Sequence, residues 1–263
     1  MSILGRFRLD GKVALVSGSG QGIGAAIALA FAEAGADLVL AARTRADLER
    51  VARSVRALGR KALVIPTDVL EDQQLEQLVA ETLEQWGRID TLVNNAGGYP
   101  PAPALRTATG DLERAFRFNV STAFTLSRLV APQMADRTGA SIINVSSVVG
   151  QAPSPGFAAY GTAKSALNFL TRELAAEFAP RIRVNAIAVG STRTRALQSV
   201  LTPEIEQRME DLTPMGRLGE VEDVAACALY LASPAASYVT GEVVGVHGGL
   251  NAPNLVMPRA FAE

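Results

Sequence analysis

Short apolar runs recur along the chain, and stretches with helical spacing lie between them. The runs at 12–17, 37–42, 61–66, 89–93, 140–145, 181–187 and 242–246 have the length and near-continuous hydrophobicity of buried strands. The intervening patterns predict helices over 25–34, 45–58, 71–86, 111–134, 157–178 and 221–231. Residues 196–215 add a helical segment punctuated by Pro203 and Pro214, and Pro100, Pro101 and Pro103 stiffen the loop at 99–103. No boundary or internal repeat divides residues 1–263, which read as a single domain.

Composition narrows the classes. With 48% hydrophobic and 19% charged residues, the chain has ample material for a core. A net charge of −1 and a pI near 6.0 give no basic footprint for nucleic acid. The single cysteine, Cys227, excludes an intrachain disulfide and a cysteine-based zinc site. Residues 1–9 carry no long apolar run, and Glu33, Gly35 and Asp37 interrupt the apolar stretch 25–42. The expectation is a soluble, cytoplasmic protein with no membrane span and no metal site.

Two stretches concentrate chemistry. The first strand runs directly into Gly18-Ser19-Gly20-Gln21-Gly22-Ile23-Gly24 and then into an Ala-rich helix. Strand, glycine turn and helix in succession suit a pyrophosphate: the backbone bends tightly and free amides at the helix start meet the negative charge. Side chains at Gly18, Gly22 or Gly24 are expected to stand in the way of that ligand. The second stretch holds Tyr160 and Lys164, one helical turn apart on one face. Lowering a phenol's pKa of ~10 by two to three units needs roughly 3–4 kcal/mol. A cation ~4 Å away at an effective dielectric of ~20 supplies about that much. The expectation is that Lys164 makes Tyr160 a usable acid and base; by itself the pair is equally an ordinary helix pair.

The order and spacing of these motifs resemble the short-chain dehydrogenase/reductase superfamily. The glycine turn matches Thr-Gly-x-x-x-Gly-Ile-Gly with Ser17 in the Thr position, and Asn94-Asn95-Ala96-Gly97 follows the fourth strand. Ser147 lies thirteen residues before Tyr160, which selects it over Ser146, and Lys164 lies four after. The resemblance spans nearly the whole chain. It implies an α/β fold of Rossmann type: a doubly wound, seven-stranded parallel sheet flanked by helices, with a small helical lid at about 191–215. It implies hydride transfer between a nicotinamide coenzyme and a secondary alcohol or ketone. Ser147 would orient the substrate oxygen, Tyr160 would transfer the proton, and Lys164 would tune Tyr160 and bind the nicotinamide ribose. Asn119 would hold a water behind Lys164, or serve as a structural amide at a helix kink. The coenzyme would contact Gly18, Ser19, Gly20, Gln21, Gly22, Ile23, Arg43, Thr44, Asp68, Val69, Asn95, Ala96, Gly97, Tyr160, Lys164, Gly190, Thr192 and Thr194. Asp68 has a rival role as the cap of the helix at 71–86.

Departures from the family pattern sharpen the choice of coenzyme and leave the substrate open. NAD-specific relatives carry a carboxylate where this chain has Ala42, and Arg43 follows. A charge-assisted bond from Arg43 to a 2′-phosphate is worth ~1.5–3 kcal/mol, which favours NADP(H) over NAD(H). Val189 and Thr192 replace the usual Pro and Ile, and His247 stands where relatives carry Asp. The stretch 197–207 is similar to bacterial 7α-hydroxysteroid dehydrogenases, from whose NAD-dependent members Ala42 and Arg43 depart. A 3-oxoacyl thioester reductase and a catalytically silent coenzyme-binding regulator are the alternatives. The resemblance also implies a homotetramer through the helices at 111–134 and 157–178. Residues 251–263 read as a loose or partner-contacting tail.

Overall fold

The computed structural model describes residues 2–198, 201–255 and 257. Ser199 and Val200 of the expected lid, and Val256 and 258–263 of the expected tail, lie outside the described residues.

Seven strands pair among the described residues: β1 (Val13–Ser17), β2 (Asp37–Ala42), β3 (Ala62–Pro66), β4 (Thr91–Asn94), β5 (Ala140–Ser147), β6 (Ile182–Val189) and β7 (Val243–Val246). All pairings are parallel, in the order β3-β2-β1-β4-β5-β6-β7. The interiors of β1 and β5 are buried throughout, as befits strands covered on both faces. Helices α1 (Gly22–Glu33), α2 (Arg45–Ala57) and α9 (Val221–Ala232) share one apolar core with one face of the sheet. The other face packs with α3 (Asp72–Trp86), α5 (Thr122–Met134) and α6 (Ala158–Phe178). The strand order reverses direction between β1 and β4, and a crevice opens there beyond the carboxyl ends of the strands.

Two predicted helices are divided. The stretch 111–134 is α4 (Thr109–Phe116), a π-helical turn (Arg117–Ser121) and α5. The stretch 196–215 is α7 (Arg195–Gln198) and α8 (Pro203–Asp211), the latter starting at Pro203 with the Thr202 hydroxyl capping the Ile205 amide. In the described part of the tail, residues 251 and 252 are exposed, while Asn254 is buried with partners on the body of the fold; Leu250 just before it is buried as well.

Candidate active site

The site is assembled where β1 and β4 diverge. Gly18 and Gly22 have φ of 65° and 56°, a left-handed backbone that glycine adopts at little cost. Gly18 and Gly22 line the cleft, whereas Gly24 does not. A Cβ on Gly18 would lie 2.8 Å from Asn95 Nδ2, and one on Gly24 would lie 2.4 Å from the Gly18 carbonyl oxygen. Gly24 therefore lets α1 close on the turn and is not itself a wall of the cleft. Ser17 ties the turn to β4: its hydroxyl donates to the Val93 carbonyl (3.2 Å) and accepts from the amides of Asn95 (3.0 Å) and Ala96 (3.2 Å). Asn95 Nδ2 donates back to the carbonyls of Ser17 and Gly18, both at 3.0 Å. A deeper amide pair, Asn94 to Asn144 at 2.9 Å, joins β4 to β5, and Asn144 donates on to Thr171 of α6.

A cleft of about 650 Å³ runs from this turn across the strand ends. Of the predicted coenzyme residues, Gly18, Gly20, Gln21, Gly22, Ile23, Arg43, Thr44, Asp68, Val69, Asn95, Ala96, Gly97, Tyr160, Lys164, Gly190, Thr192 and Thr194 line it. Ser19 does not. It is wholly buried beneath the turn, its amide is tied to the Ala41 carbonyl, and its hydroxyl has no partner among the described residues. Asp68 does not cap α3; its carboxylate accepts from the Leu70 amide two residues on (3.0 Å), an Asx turn, while Glu71 holds the cap position. A Cβ on Gly190 would strike the His247 backbone at 2.7 Å. Thr192 bridges to Gly219 through its neighbours' Ser191 carbonyl and Arg193 amide, so its own backbone groups point away from that bridge. Thr194 lies over Gly22, and its hydroxyl accepts from the Leu197 amide at the start of α7.

The far end of the cleft holds the reactive side chains. Ser147 is the last residue of β5, and its long bonds to the Val189 carbonyl and from the Val149 amide (both 3.4 Å) leave it loosely held. Ser146, by contrast, is buried and points its hydroxyl at the Lys164 carbonyl (3.4 Å). Tyr160 and Lys164 face the cleft from α6, with the Lys164 Nζ 5.7 Å from the phenol ring centre. Burial acts on both side chains. It pushes Tyr160 up to about 12, with the neighbouring Ser147 hydroxyl opposing it. It also pulls Lys164 down to about 7. Its ammonium donates to the Val145 carbonyl at 2.8 Å.

Asn119 sits behind this end. It is the middle of the π-helical turn, 2% exposed, and does not line the cleft. Its Nδ2 donates to the carbonyls of Ala115 (2.8 Å) and Gly98 (3.1 Å), and its Oδ1 accepts from the Gly98 amide (2.8 Å). The structural-amide expectation holds, for the π turn leaves the Ala115 carbonyl needing a donor. A Cβ on Gly97 would lie 2.7 Å from Asn119 Oδ1 and 3.2 Å from Lys164 Nζ, so only glycine fits between them.

Other lining residues carried no clear sequence signal. Asp47 reaches the cleft beside Gly20 and is paired with Arg50 at 3.0 Å, while Arg50 donates to the Gly20 carbonyl. Asp47 is one i,i+3 partner among many charged helix residues, so nothing in the sequence distinguishes it. Arg195, Ala196 and Leu197 bring the start of the lid segment to the cleft edge. No cluster of potential metal ligands, and no helix long and apolar enough to cross a membrane, occurs among the described residues.

The doubly wound sheet, the glycine turn at its switch point and the long cleft define a protein of the dinucleotide-binding class. A family model described as enoyl-(acyl carrier protein) reductase matches residues 18–251. An uncharacterized oxidoreductase of Mycobacterium tuberculosis is 49% identical over 97% of this chain and 98% of its own length. The 7α-hydroxysteroid dehydrogenase of Escherichia coli K12 is 41% identical over 92% of this chain and 95% of its own. A solved 7α-hydroxysteroid dehydrogenase, complexed with NADH and 7-oxo glycochenodeoxycholic acid, superposes with a TM-score of 0.91 at 40% identity. That superposition covers 95% of this chain and 98% of the other. The chain belongs to the short-chain dehydrogenase/reductase family of oxidoreductases.

Proposed function

We propose that this protein interconverts a ketone and a secondary alcohol with a nicotinamide coenzyme, NADP(H) in preference to NAD(H). The observation that carries the reading is the convergence of Ser147, Tyr160 and Lys164 at one end of a cleft whose other end is the glycine turn. That cleft fits the coenzyme: Gly18, Gly22 and Thr194 form a cradle for the pyrophosphate, and Asp68 and Val69 flank the adenine side. When bound, the nicotinamide supplies or accepts the hydride. Tyr160, kept protonated at neutral pH by burial, gives its hydroxyl proton to the substrate oxygen as that oxygen gains charge. Ser147 donates a hydrogen bond to the same oxygen. In alcohol oxidation Tyr160 takes the proton back. Lys164 holds the ribose side of the site, and Asn119 fixes the Gly97–Gly98 backbone against which the lysine rests.

The coenzyme preference rests on Arg43. It is exposed on the cleft wall with no ion-pair partner among the described residues, whereas the nearby Asp47 carboxylate is already engaged by Arg50. Similarity to 7α-hydroxysteroid dehydrogenases supports a bulky alicyclic ketone as substrate, with the segment 191–215 acting as a lid over it. Residues 1–263 act as one catalytic domain. Exposed Leu112, Phe116, Phe124 and Phe169 on α4, α5 and α6 support a homotetramer through those helices.

The test is oxidation of NADPH and NADH, followed by absorbance, against 7-keto bile acids, an acetoacetyl thioester and simple aryl ketones. Turnover of the steroid ketones, most efficient with NADPH, is expected. Tyr160→Phe is expected to keep coenzyme affinity while losing at least ~10²-fold in turnover. Full activity in that variant would remove Tyr160 as the acid, and equal efficiency with both coenzymes would remove the role of Arg43.

A further inference from the structure

Beyond the strand that ends at Val246, the chain folds back between two walls of the site. Leu250 is buried against Val148 and Val149, with Phe157 and Tyr160 packed on the same cluster. Met257 covers Gly156, whose φ of 82° and missing side chain make room: a Cβ there would lie 3.0 Å from the methionine. Gly156 in turn accepts from the Ala102 amide at 2.9 Å, joining this wall to the proline-rich loop. On the opposite side, Asn254 is 3% exposed and bonds entirely to the lid and the cleft. Its Nδ2 donates to the Met209 carbonyl of α8 (3.0 Å) and to the Thr213 hydroxyl (2.9 Å), and its Oδ1 accepts from the Ser191 hydroxyl. Ser191 lies on the cleft wall between Gly190 and Thr192.

From this geometry we infer that Asn254 is a positioning residue, a latch that fixes α8 to the cleft wall and so sets how far the lid stands from a bound ketone. One buried amide joins three points that sequence holds apart: the strand-end loop at 191, the last turn of α8, and Thr213 after it. Neighbouring polar groups are engaged elsewhere. The Thr213 hydroxyl already donates to the Met209 carbonyl at 2.7 Å, and the Met215 amide is taken by the Gly248 carbonyl. Removing the amide takes the acceptor from the half-buried Ser191 hydroxyl and frees α8 from the wall. The lid keeps a second tether, Arg193, whose guanidinium pairs with Glu206, Glu210 and Glu220, so the segment stays attached while its closed position is lost. Loss of position raises KM for a ketone that must be covered, and spares the proton transfer at Tyr160.

This inference rests on the proposed reaction for its kinetic arm alone. Hydrogen exchange on the coenzyme-free protein tests the latch directly. In Asn254→Ala, amides of 203–213 are expected to exchange at least about tenfold faster than in the unaltered protein, with the sheet unaffected. In the kinetic arm, KM for the ketone is expected to rise about tenfold with kcat within about threefold. Ser191→Ala removes a single bond and is expected to speed exchange in the same segment by a smaller factor. Should Asn254→Ala loosen the whole fold, Ser191→Ala decides. Unchanged exchange at 203–213 in the folded variants, or a fall in kcat at constant KM, would overturn the latch. Absence of turnover in the unaltered protein would count against the proposed reaction and leave the exchange result standing.

Discussion

Tyr160 and Lys164 stand at one end of the cleft, where burial disfavours the charged form of each. A phenol pushed up to about 12 remains an acid throughout the neutral range, the form that carbonyl reduction requires. A lysine drawn down to about 7 makes the stability of the fold depend on pH. Its folded pKa is below the unfolded value of 10.5, so between pH 7 and 10.5 the unfolded chain binds more protons. Stability therefore rises with pH in that window, by up to about 1.4 kcal/mol per unit, and the cost of burying the charge is fully present below it. Urea unfolding of the coenzyme-free protein at pH 7 and pH 9 is expected to show this gain. Lys164→Met is expected to abolish most of it. Equal pH slopes in the two proteins would mean that the lysine stays charged at neutral pH.

Among the elements, the junction of β1, α1 and β4 bears the tightest geometry. Ser17 and Asn95 stitch the turn to β4, and Gly24 brings α1 within reach of the Gly18 carbonyl. Gly24→Ala must force backbone apart, since its Cβ would lie 2.4 Å from that oxygen and 2.5 Å from Asn95 Nδ2. Overpacking of this kind costs about 1–3 kcal/mol, and coenzyme affinity is expected to fall with it. Gly110→Ala is the contrast. It meets only the flexible end of Arg114, at 3.1 Å in the first turn of α4, and is expected to be neutral or slightly stabilising. Thermal melts with and without NADPH compare the two. A Gly24→Ala protein that melted and bound normally would show that the turn can relax.

For the whole molecule, the open question is how the exposed apolar side chains of α4, α5 and α6 are covered. Phe169 is 59% exposed, Phe116 44% and Phe124 43%, high values for three aromatics on helices flanking the site. Phe169→Glu places a charge where a helix-to-helix interface would bury it, at a cost of several kcal/mol. Sedimentation is expected to find a tetramer for the unaltered chain and smaller species for the variant. A monomeric unaltered chain would remove the assembly.

The seven strands, the glycine turn and the shared helix face of Tyr160 and Lys164 were legible from the sequence because each depends on local facts, whereas Ser147 was singled out by the family spacing. A strand covered on both faces must be continuously apolar, a tight turn must spare its side chains, and a helix puts residues four apart on one side. Other features depended on what the fold brings together from far along the chain. Ser19 turned inward, Asp47 arrived at the cleft wall, and Asn254 crossed from the tail to the lid. The burial that shifts Tyr160 and Lys164 belongs with these. Spacing put a cation beside a phenol, but charge depends on solvation, and only packing in three dimensions removes the water.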